Sequence, residues 1–246
     1  MNTPDIIYML LVMVLLVWLE IFLKVVFFER GEDNWDRINA ILISSTKSKK
    51  DFLSPVDGTI LYINDVTDGR VVTQKNGINV REDWVGKHNG VLIGIYMSIF
   101  DRHFVINPID DLFEVAEWKK VKNGGLPMMD VLEYIHFYYF GKMVSWFESK
   151  AFTYKQANEH VILKSNSGVR LMLIGDKFVN KITVNDTNPS DKKITDGLRA
   201  MKIASIRRGS QVDVFIPDYL FKEMSKEVGQ KVKVGETLCQ MNVSEY

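Results

Sequence analysis

Cysteine and histidine are scarce in this chain, which has one cysteine and four histidines among 246 residues. The single cysteine, Cys239, excludes an intrachain disulfide and fits a reducing compartment. Because no paired-cysteine motif accompanies so few histidines, the sequence argues against a zinc site, and we assign no metal. Neither sign of charge is in excess, since 31 basic side chains balance 31 acidic ones. Composition therefore offers no argument for a nucleic-acid partner.

Charged residues are nearly missing from residues 6–28, where only Glu20 and Lys24 interrupt an apolar run. As a helix this run would be about 34 Å long, enough to cross the ~30 Å hydrocarbon layer of a bilayer. A cleaved signal peptide is the alternative, but no basic residue precedes the run and no small-residue cleavage site follows it. We therefore predict that residues 1–30 are an uncleaved, single-pass membrane anchor. Basic residues follow the run, which predicts that the body of the protein faces the cytoplasm.

The sequence changes character twice after this run. Apolar residues at helical spacing in residues 33–45 predict a short amphipathic helix, which lies either at the membrane or against the following domain. With the charged linker after it, this helix makes up a juxtamembrane segment, residues 31–50. Short alternating apolar runs then follow, separated by Asp, Asn and Gly turns, and predict that residues 51–246 form a mainly β (α+β) domain with a sandwich or barrel-like sheet. The clearest predicted strands are residues 59–63, 70–73, 77–80 and 91–97.

Aromatic residues are concentrated in residues 128–147, which contain more of them than one helix face or one strand needs for packing. Tyr and Trp side chains suit the headgroup layer of a membrane. The segment is therefore either a membrane-contacting surface or ordinary core, and the sequence gives the two interpretations equal weight.

A glycine–serine pair, Gly209 and Ser210, opens a run in which Val and Ile alternate with other residues up to Pro217. The alternation predicts a β-strand with the serine at its beginning. A serine in that place is often structural, and the preceding Arg207 and Arg208 would also suit a kinase target. This stretch gains a catalytic interpretation only when it is read beside the other motifs.

The stretch Phe52–Gly58 contains one carboxylate in a predicted tight bend. Pro55 and Gly58 flank Asp57 there, and this arrangement presents the carboxylate at the edge of a strand. Most aspartates in such bends only form turns, so the residue gains a catalytic interpretation only in combination with other motifs.

The stretch Tyr96–Pro108 contains an acidic residue and a histidine two positions apart. If residues 100–105 continue the preceding strand, the period of two places Asp101 and His103 on one face and Arg102 on the other. A carboxylate beside an imidazole fixes its tautomer and stabilises its protonated form. The alternative is a surface histidine with an incidental acidic neighbour.

Taken in order, these three stretches and Gly229–Glu236 resemble the phosphatidylserine decarboxylase family over roughly residues 50–240. The resemblance implies a membrane enzyme that converts phosphatidylserine to phosphatidylethanolamine and CO₂. It also implies self-cleavage between Gly209 and Ser210 into a large chain and a small chain, which stay together. Gly229–Glu236 has the paired glycine turns of lipoyl-type barrel domains, and we assign it no catalytic part.

The resemblance implies a role for each motif residue. Ser210 attacks the preceding carbonyl and is converted to a covalent pyruvoyl cofactor, which acts as an electron sink while CO₂ leaves. His103, oriented by Asp57 or Asp101, is the base for Ser210 and later the acid that reprotonates the product. The predicted catalytic residues are therefore Asp57, Asp101, His103 and Ser210.

The sequence departs from the family pattern at several positions. Many members have a second histidine where this chain has Ile106, so His103 would serve both cleavage and decarboxylation. His160 takes the place of a family arginine, and Arg207 and Arg208 replace apolar residues, in roles that the sequence leaves open. A catalytically silent, membrane-anchored relative that binds lipid or protein is the alternative function. The oligomeric state, a homo-oligomer included, is also left open.

Overall fold

The computed structural model describes residues 3–31, 37–72, 79–98, 101–121, 155, 157–175, 182–185, 194, 197–206 and 210–242. Contacts within the chain divide it into two units, residues 1–35 and 36–246. Three stretches of the sequence analysis lie outside the described residues: the aromatic residues 128–147, the pair Arg207 and Arg208, and Gly209.

The first unit contains one helix, α1, which runs from Thr3 to Gly31. The helix includes the whole apolar run of residues 6–28. Asp5 lies in its first turn, where a negative charge interacts favourably with the helix dipole. Within the part of the chain that the structure describes, no helix has both the length and the apolarity needed to cross a membrane. The membrane anchor therefore stays a prediction.

The second unit begins with helix α2, Arg37–Thr46, and is otherwise built mainly of strands. The strands are β1 Asp51–Leu53, β2 Gly58–Thr67, β3 Arg70–Val72, β4 Asn79–Arg81, β5 Gly90–Met97, β6 Phe104–Ile106, β7 Phe113–Lys119, β8 His160–Ser165, β9 Arg170–Gly175, β10 Ile182–Val184, β11 Lys202–Ile206, β12 Ser210–Pro217, β13 Phe221–Met224, β14 Lys231–Val232 and β15 Thr237–Met241. A short 3₁₀ helix, Asp83–Val85, precedes β5.

The described strands pair into three antiparallel sheets. The largest has the order β4-β3-β2-β5-β12-β9-β8-β7, with β14 added beside β2, and it curls into a half-barrel. Two smaller sheets have the orders β1-β15-β13 and β10-β11-β6. The mainly β prediction is therefore confirmed, and all four strands singled out from the sequence overlap β2, β3, β4 and β5.

Strand β12 lies in the middle of the large sheet and is buried on both faces. Its Val212, Val214 and Ile216 side chains enter one hydrophobic core together with residues of β5 and β9. Its Gln211, Asp213 and Phe215 side chains are at most 1% exposed on the other face. The strand predicted from Val and Ile alternation is correct, but its polar residues do not face solvent.

Helix α2 has a buried side, which includes Ala40, and an exposed side. Ile43 lies against Gly235, whose φ of +80° and missing side chain leave room for it. Ile41 and Leu42, in contrast, are 50% and 58% exposed. The helix predicted for residues 33–45 is thus present over Arg37–Thr46, with contact to the domain on one side and exposed apolar residues on another.

Candidate active site

The beginning of β12 is enclosed by two neighbouring strands. Ser210 is paired with Met97, the last residue of β5, and with Gly175, the last residue of β9. Directly opposed residues of antiparallel strands have Cα atoms about 4.5–5.5 Å apart. Ser98, the residue after Met97, is therefore close along the backbone to Ser210.

Asp101 is hydrogen-bonded to Ser98, the residue that follows β5. Asp101 Oδ2 accepts hydrogen bonds from the backbone N–H and the hydroxyl of Ser98, each at 2.7 Å. The Asp101 N–H in turn donates to the Ser98 carbonyl at 3.0 Å. The predicted strand is wrong at residues 101–103, because β6 begins only at Phe104; residue 100 lies outside the described residues. The pairing of Asp101 with His103 on one strand face loses its basis, since the carboxylate is engaged by Ser98.

His103 is buried and connects the turn to β11. Its Nε2 atom lies 3.0 Å from the Ser98 carbonyl oxygen, and its own carbonyl accepts from the Ile206 N–H at 2.8 Å. A carbonyl oxygen can only accept a hydrogen bond, so the neutral imidazole carries its proton on Nε2 and its lone pair on Nδ1. The His103 side chain thus contacts Ser98, which lies near Ser210. Its backbone carbonyl contacts β11, the strand that precedes Ser210 in the chain.

Asp57 is held by two other motifs. Its Oδ2 atom lies 2.6 Å from Arg102 Nε, and its Oδ1 atom lies 3.2 Å from Arg102 Nη2. The backbone N–H of Val234 also donates to Oδ1 at 2.6 Å. The side chain of Asp57 is 13% exposed and that of Arg102 is 33% exposed. The bend at Asp57, the turn before β6 and the glycine turn before β15 therefore meet at one carboxylate.

The bend around Asp57 is fixed by further backbone contacts. The Ser54 N–H donates to the Glu236 carbonyl at 2.7 Å, and the Gly235 N–H donates to the Ser54 carbonyl at 3.0 Å. A side chain at Gly58 would collide with the Tyr96 carbonyl, so only glycine allows β2 to lie this close to β5. The two glycine-containing motifs of the sequence thus serve to bring Asp57 and Val234 together.

Arg102 and Val234 were not found by sequence reasoning. Arg102 was expected on the face opposite Asp101 and His103, and the glycine turn that contains Val234 was given only a structural part. Their shared partner Asp57 lies far away in the chain, so no local pattern points to it. The only usable signal was that all three belong to motifs of the family resemblance.

A buried charged cluster on the other face of β12 was also missed. Lys155 Nζ lies 2.9 Å from Asp213 Oδ2 and 2.7 Å from Glu82 Oε1, and all three side chains are 0% exposed. Tyr62 donates to Asp213 Oδ1 at 2.6 Å, and Gln211 Nε2 lies 2.6 Å from the same oxygen. In the sequence, a single aspartate among valines indicates a solvent-facing position, which gave no signal for the cluster.

Burial and the neighbouring charges together determine the protonation of this cluster. Burial raises the pKa of Glu82 above its usual value, although Lys155 opposes the shift. Burial alone would lower the pKa of Lys155, but the carboxylates of Asp213 and Glu82 outweigh it and leave the pKa raised. The pKa of Tyr62 is raised mainly by burial and then by Asp213. Lys155 therefore stays charged and Tyr62 stays protonated at neutral pH.

His160, which takes the place of the family arginine, is buried at the start of β8. Its Nδ1 atom lies 3.0 Å from the Asn158 carbonyl, and its Nε2 atom lies 3.7 Å from Glu117 Oε1. Burial lowers its pKa. Among the described residues, no group of three or more His, Cys, Asp or Glu side chains is arranged to hold a metal ion.

Comparison with protein families places this sequence in a known family. The model of the phosphatidylserine decarboxylase family matches residues 42–240. The chain therefore belongs to the phosphatidylserine decarboxylase family, and membership indicates a decarboxylase that acts on phosphatidylserine. Comparison with curated proteins and with solved structures gave no match.

Proposed function

We propose that the protein is a self-cleaving, pyruvoyl-dependent phosphatidylserine decarboxylase held at the membrane by its N-terminal segment. The observation that carries the proposal is the convergence of His103 and its partners on the beginning of β12. His103 bonds to Ser98 beside the strand partner of Ser210, and its carbonyl bonds to Ile206, which precedes Ser210 in the chain.

In the proposed cleavage, His103 Nδ1 accepts the hydroxyl proton of Ser210 while the oxygen adds to the Gly209 carbonyl. The Ser98 carbonyl supports this role, because it fixes the proton on Nε2 and leaves the lone pair on Nδ1. The peptide becomes an ester, and elimination of the Gly209 carboxylate leaves dehydroalanine at position 210. Addition of water and loss of ammonia then give the pyruvoyl group at the end of the small chain.

Asp57 has an electrostatic part in this proposal. It is fixed by Arg102 and by the Val234 N–H, so a negative charge of defined position lies in the same group of turns as His103. Such a charge stabilises the imidazolium that proton abstraction creates. Asp101 acts at one remove, because its bonds to Ser98 shape the turn whose carbonyl holds His103.

The residues fit a pyruvoyl cofactor, because the group would form from Ser210 itself, and Ser210 is paired with one strand on each side of β12. When formed, the group supplies an electron sink for loss of CO₂ from the serine headgroup. His103 then holds the proton that is returned to the product carbon, which is the second task that the single histidine of this motif takes on.

Membrane attachment through residues 6–28 is part of the proposal. It is supported by the apolar sequence and by α1, whose described side chains from Ile6 to Leu19 are exposed. Exposed apolar residues of α2, Ile41 and Leu42, precede the cationic residues Lys49 and Lys50. This combination suits contact with an anionic bilayer, with the catalytic domain on the cytoplasmic side.

Mass spectrometry of the purified protein tests the proposal. Residues 210–246 are 37 of 246 residues, so by proportion the small chain is about 4.3 kDa of the 28.4 kDa total. We expect a blocked amino end on the small chain and labelled CO₂ from carboxyl-labelled phosphatidylserine. Ser210→Ala should remain full-length, whereas the control Ser225→Ala, on an exposed serine, should be cut normally. A wild-type protein that turns over substrate while uncut would reject the pyruvoyl mechanism, and an uncut, inactive one would favour the silent relative.

A further inference from the structure

The buried cluster beneath β12 links residues that the proposed cleavage separates into two chains. Lys155 and Glu82 belong to the large chain, whereas Asp213 belongs to the small chain. Tyr62, also of the large chain, donates to Asp213 and lies 2.9 Å from Gln211 Nε2. Asp213 is therefore the centre of a polar network that spans both chains.

Stability alone does not account for this cluster. Taking charged groups out of water costs several kcal/mol per ion, and well-packed apolar residues of similar volume are often as stabilising or more so. The best-attested use of buried polar groups is to specify one register among several that apolar packing would accept. The cluster is surrounded by apolar residues, which include Leu92, Tyr96 and Ile174. Apolar side chains in place of the charged ones could therefore pack here as well.

The sequence of β12 creates a register problem that the cluster solves. Val212, Val214 and Ile216 have similar shapes and enter the same core. A slip by one residue would turn the apolar side chains to the wrong face, but a slip by two would replace one valine by another. A two-residue slip would move residue 210 by about 7 Å. The apolar pattern opposes it only at one end of the run, where Ser210 or Asp218 would take a core position.

Asp213 is the residue that does prevent it. Its direct strand partner is Gly94 of β5, and the ring of Tyr62 crosses β5 at that glycine, where any side chain would collide with the ring. Through this gap the Tyr62 hydroxyl reaches Asp213 Oδ1, and Lys155 reaches Oδ2 from its own side. After a two-residue slip, Gln211 or Phe215 would face Lys155 in place of Asp213. Neither side chain has a carboxylate, so the buried Lys155 charge would lose one of its two partners.

We infer that the cluster of Lys155, Asp213, Glu82 and Tyr62 positions residue 210 by fixing the register of β12. These are positioning residues, because Asp213 lies three residues, or about 10 Å, along the strand from residue 210. The inference rests on the proposed cleavage at Ser210. It predicts that the network matters both before cleavage, when Ser210 must meet its base, and afterwards, when residue 210 is the first residue of a separate chain.

The test replaces the charges by apolar or neutral groups and measures stability and cleavage separately. In the triple variant Lys155→Met, Asp213→Leu, Glu82→Gln, the glutamine keeps an acceptor for the Trp84 indole N–H that now bonds to Glu82. We expect a melting temperature near that of the wild type, since no charge is buried without a partner, although the Tyr62 hydroxyl loses its acceptor. We expect the first-order cleavage rate per folded molecule to fall at least about tenfold, because misplacement by 1 Å can cost 10²-fold.

A matched control lies on the opposite face of the same strand. Val214→Ala opens a cavity in the other core and lowers the melting temperature, but it leaves the cluster intact, so the cleavage rate of the folded fraction should stay within about twofold of the wild type. If the triple variant does not fold, Asp213→Asn serves instead, because the amide keeps the size and the bond to Tyr62. Per folded molecule, it should slow cleavage more than Val214→Ala does.

The outcomes separate this inference from the proposed function. A triple variant that folds and is cut at the wild-type rate overturns the positioning role while the proposed function stands. A fall in cleavage that follows melting temperature equally in all variants, Val214→Ala included, also overturns it, since the cluster would then act through stability alone. A wild-type chain that is never cut at Gly209–Ser210 removes the proposed function first, and the inference with it.

Discussion

Replacing His103 by glutamine or by asparagine should separate two tasks of the imidazole, bracing the turn at Ser98 and accepting a proton. The Nε2 atom donates to the Ser98 carbonyl at 3.0 Å. Glutamine carries an amide nitrogen at about the reach of Nε2 and can keep that bond, whereas the shorter asparagine cannot. Neither amide is a base. We expect both variants to mature very slowly, because the proposed proton acceptor is missing from each.

The expected magnitudes of the two tasks differ enough to be told apart. A single hydrogen bond contributes about 0.5–1.5 kcal/mol net, which corresponds to at most about a tenfold change in rate. General base catalysis typically contributes 10²–10⁴-fold. If His103 only braced the turn, asparagine would slow cleavage by tenfold or less and glutamine by still less. If His103 is the base, both should slow it by 10²-fold or more.

The assay is a time course of precursor cleavage after cell-free synthesis, with CO₂ release measured on whatever matures. His88→Gln is the matched control, since His88 is exposed and should have no effect on either rate. A His103→Gln protein that matures within about tenfold of the wild type would reject the base role. In that case Asp57, acting directly or through water, becomes the candidate for activating Ser210, and His103 is confined to decarboxylation.

Three other changes have defined expectations. Asp57→Asn should slow the same cleavage time course by about tenfold or more, because the amide loses the charge that Arg102 and the imidazolium need, and hydrogen bonds to charged groups contribute about 1.5–3 kcal/mol. Matured molecules should keep much of their activity, and wild-type cleavage would contradict the role. Removing residues 1–30 should release a folded domain with its own core; if it then fails to float with anionic liposomes, residues 128–147 are not a membrane surface. Cys239 should resist alkylation at pH 8 until the protein unfolds, since burial raises its pKa to about 12; rapid labelling of folded protein would show that the thiol is accessible.

The sequence was sufficient to predict the strands, but it was insufficient to predict which residues at their ends contact one another. Alternation of apolar residues over 210–217 predicted β12 correctly. The strand pairs with β5 and β9 without a register shift, so the period of two holds along its whole length. The expected strand is wrong at residues 101–103, where the Asp101 side chain bonds to the backbone N–H of Ser98. Periodicity contains no information about such side-chain to backbone bonds, so it could not predict the contact between Asp101 and Ser98.

Contacts distant in sequence limited the prediction of the site in a second way. Asp57 bonds to residues 45 and 177 positions away, and the resemblance to a family, not the local pattern, indicated that these stretches belong together. The burial of Asp213 could not be predicted from the sequence for a related reason. Its strand alternates as if half-exposed, but a second core containing Leu61, Trp84 and Val85 covers that face, so a polar residue in an alternating strand can be buried when a second layer packs on the sheet.

The position of Ser210 at the beginning of β12 has a consequence for the product of cleavage. Every residue from Ser210 to Pro217 is paired with β5, and the strand is paired with β9 as well. Breaking the peptide bond before Ser210 therefore interrupts none of these ladders. In the proposed product, the small chain would keep its central place in the sheet through backbone hydrogen bonds, two buried faces and the Asp213 network, while His103 and Asp57 would belong to the large chain. Cleavage can thus create a new chain end beside the proposed acid and base without requiring either chain to move.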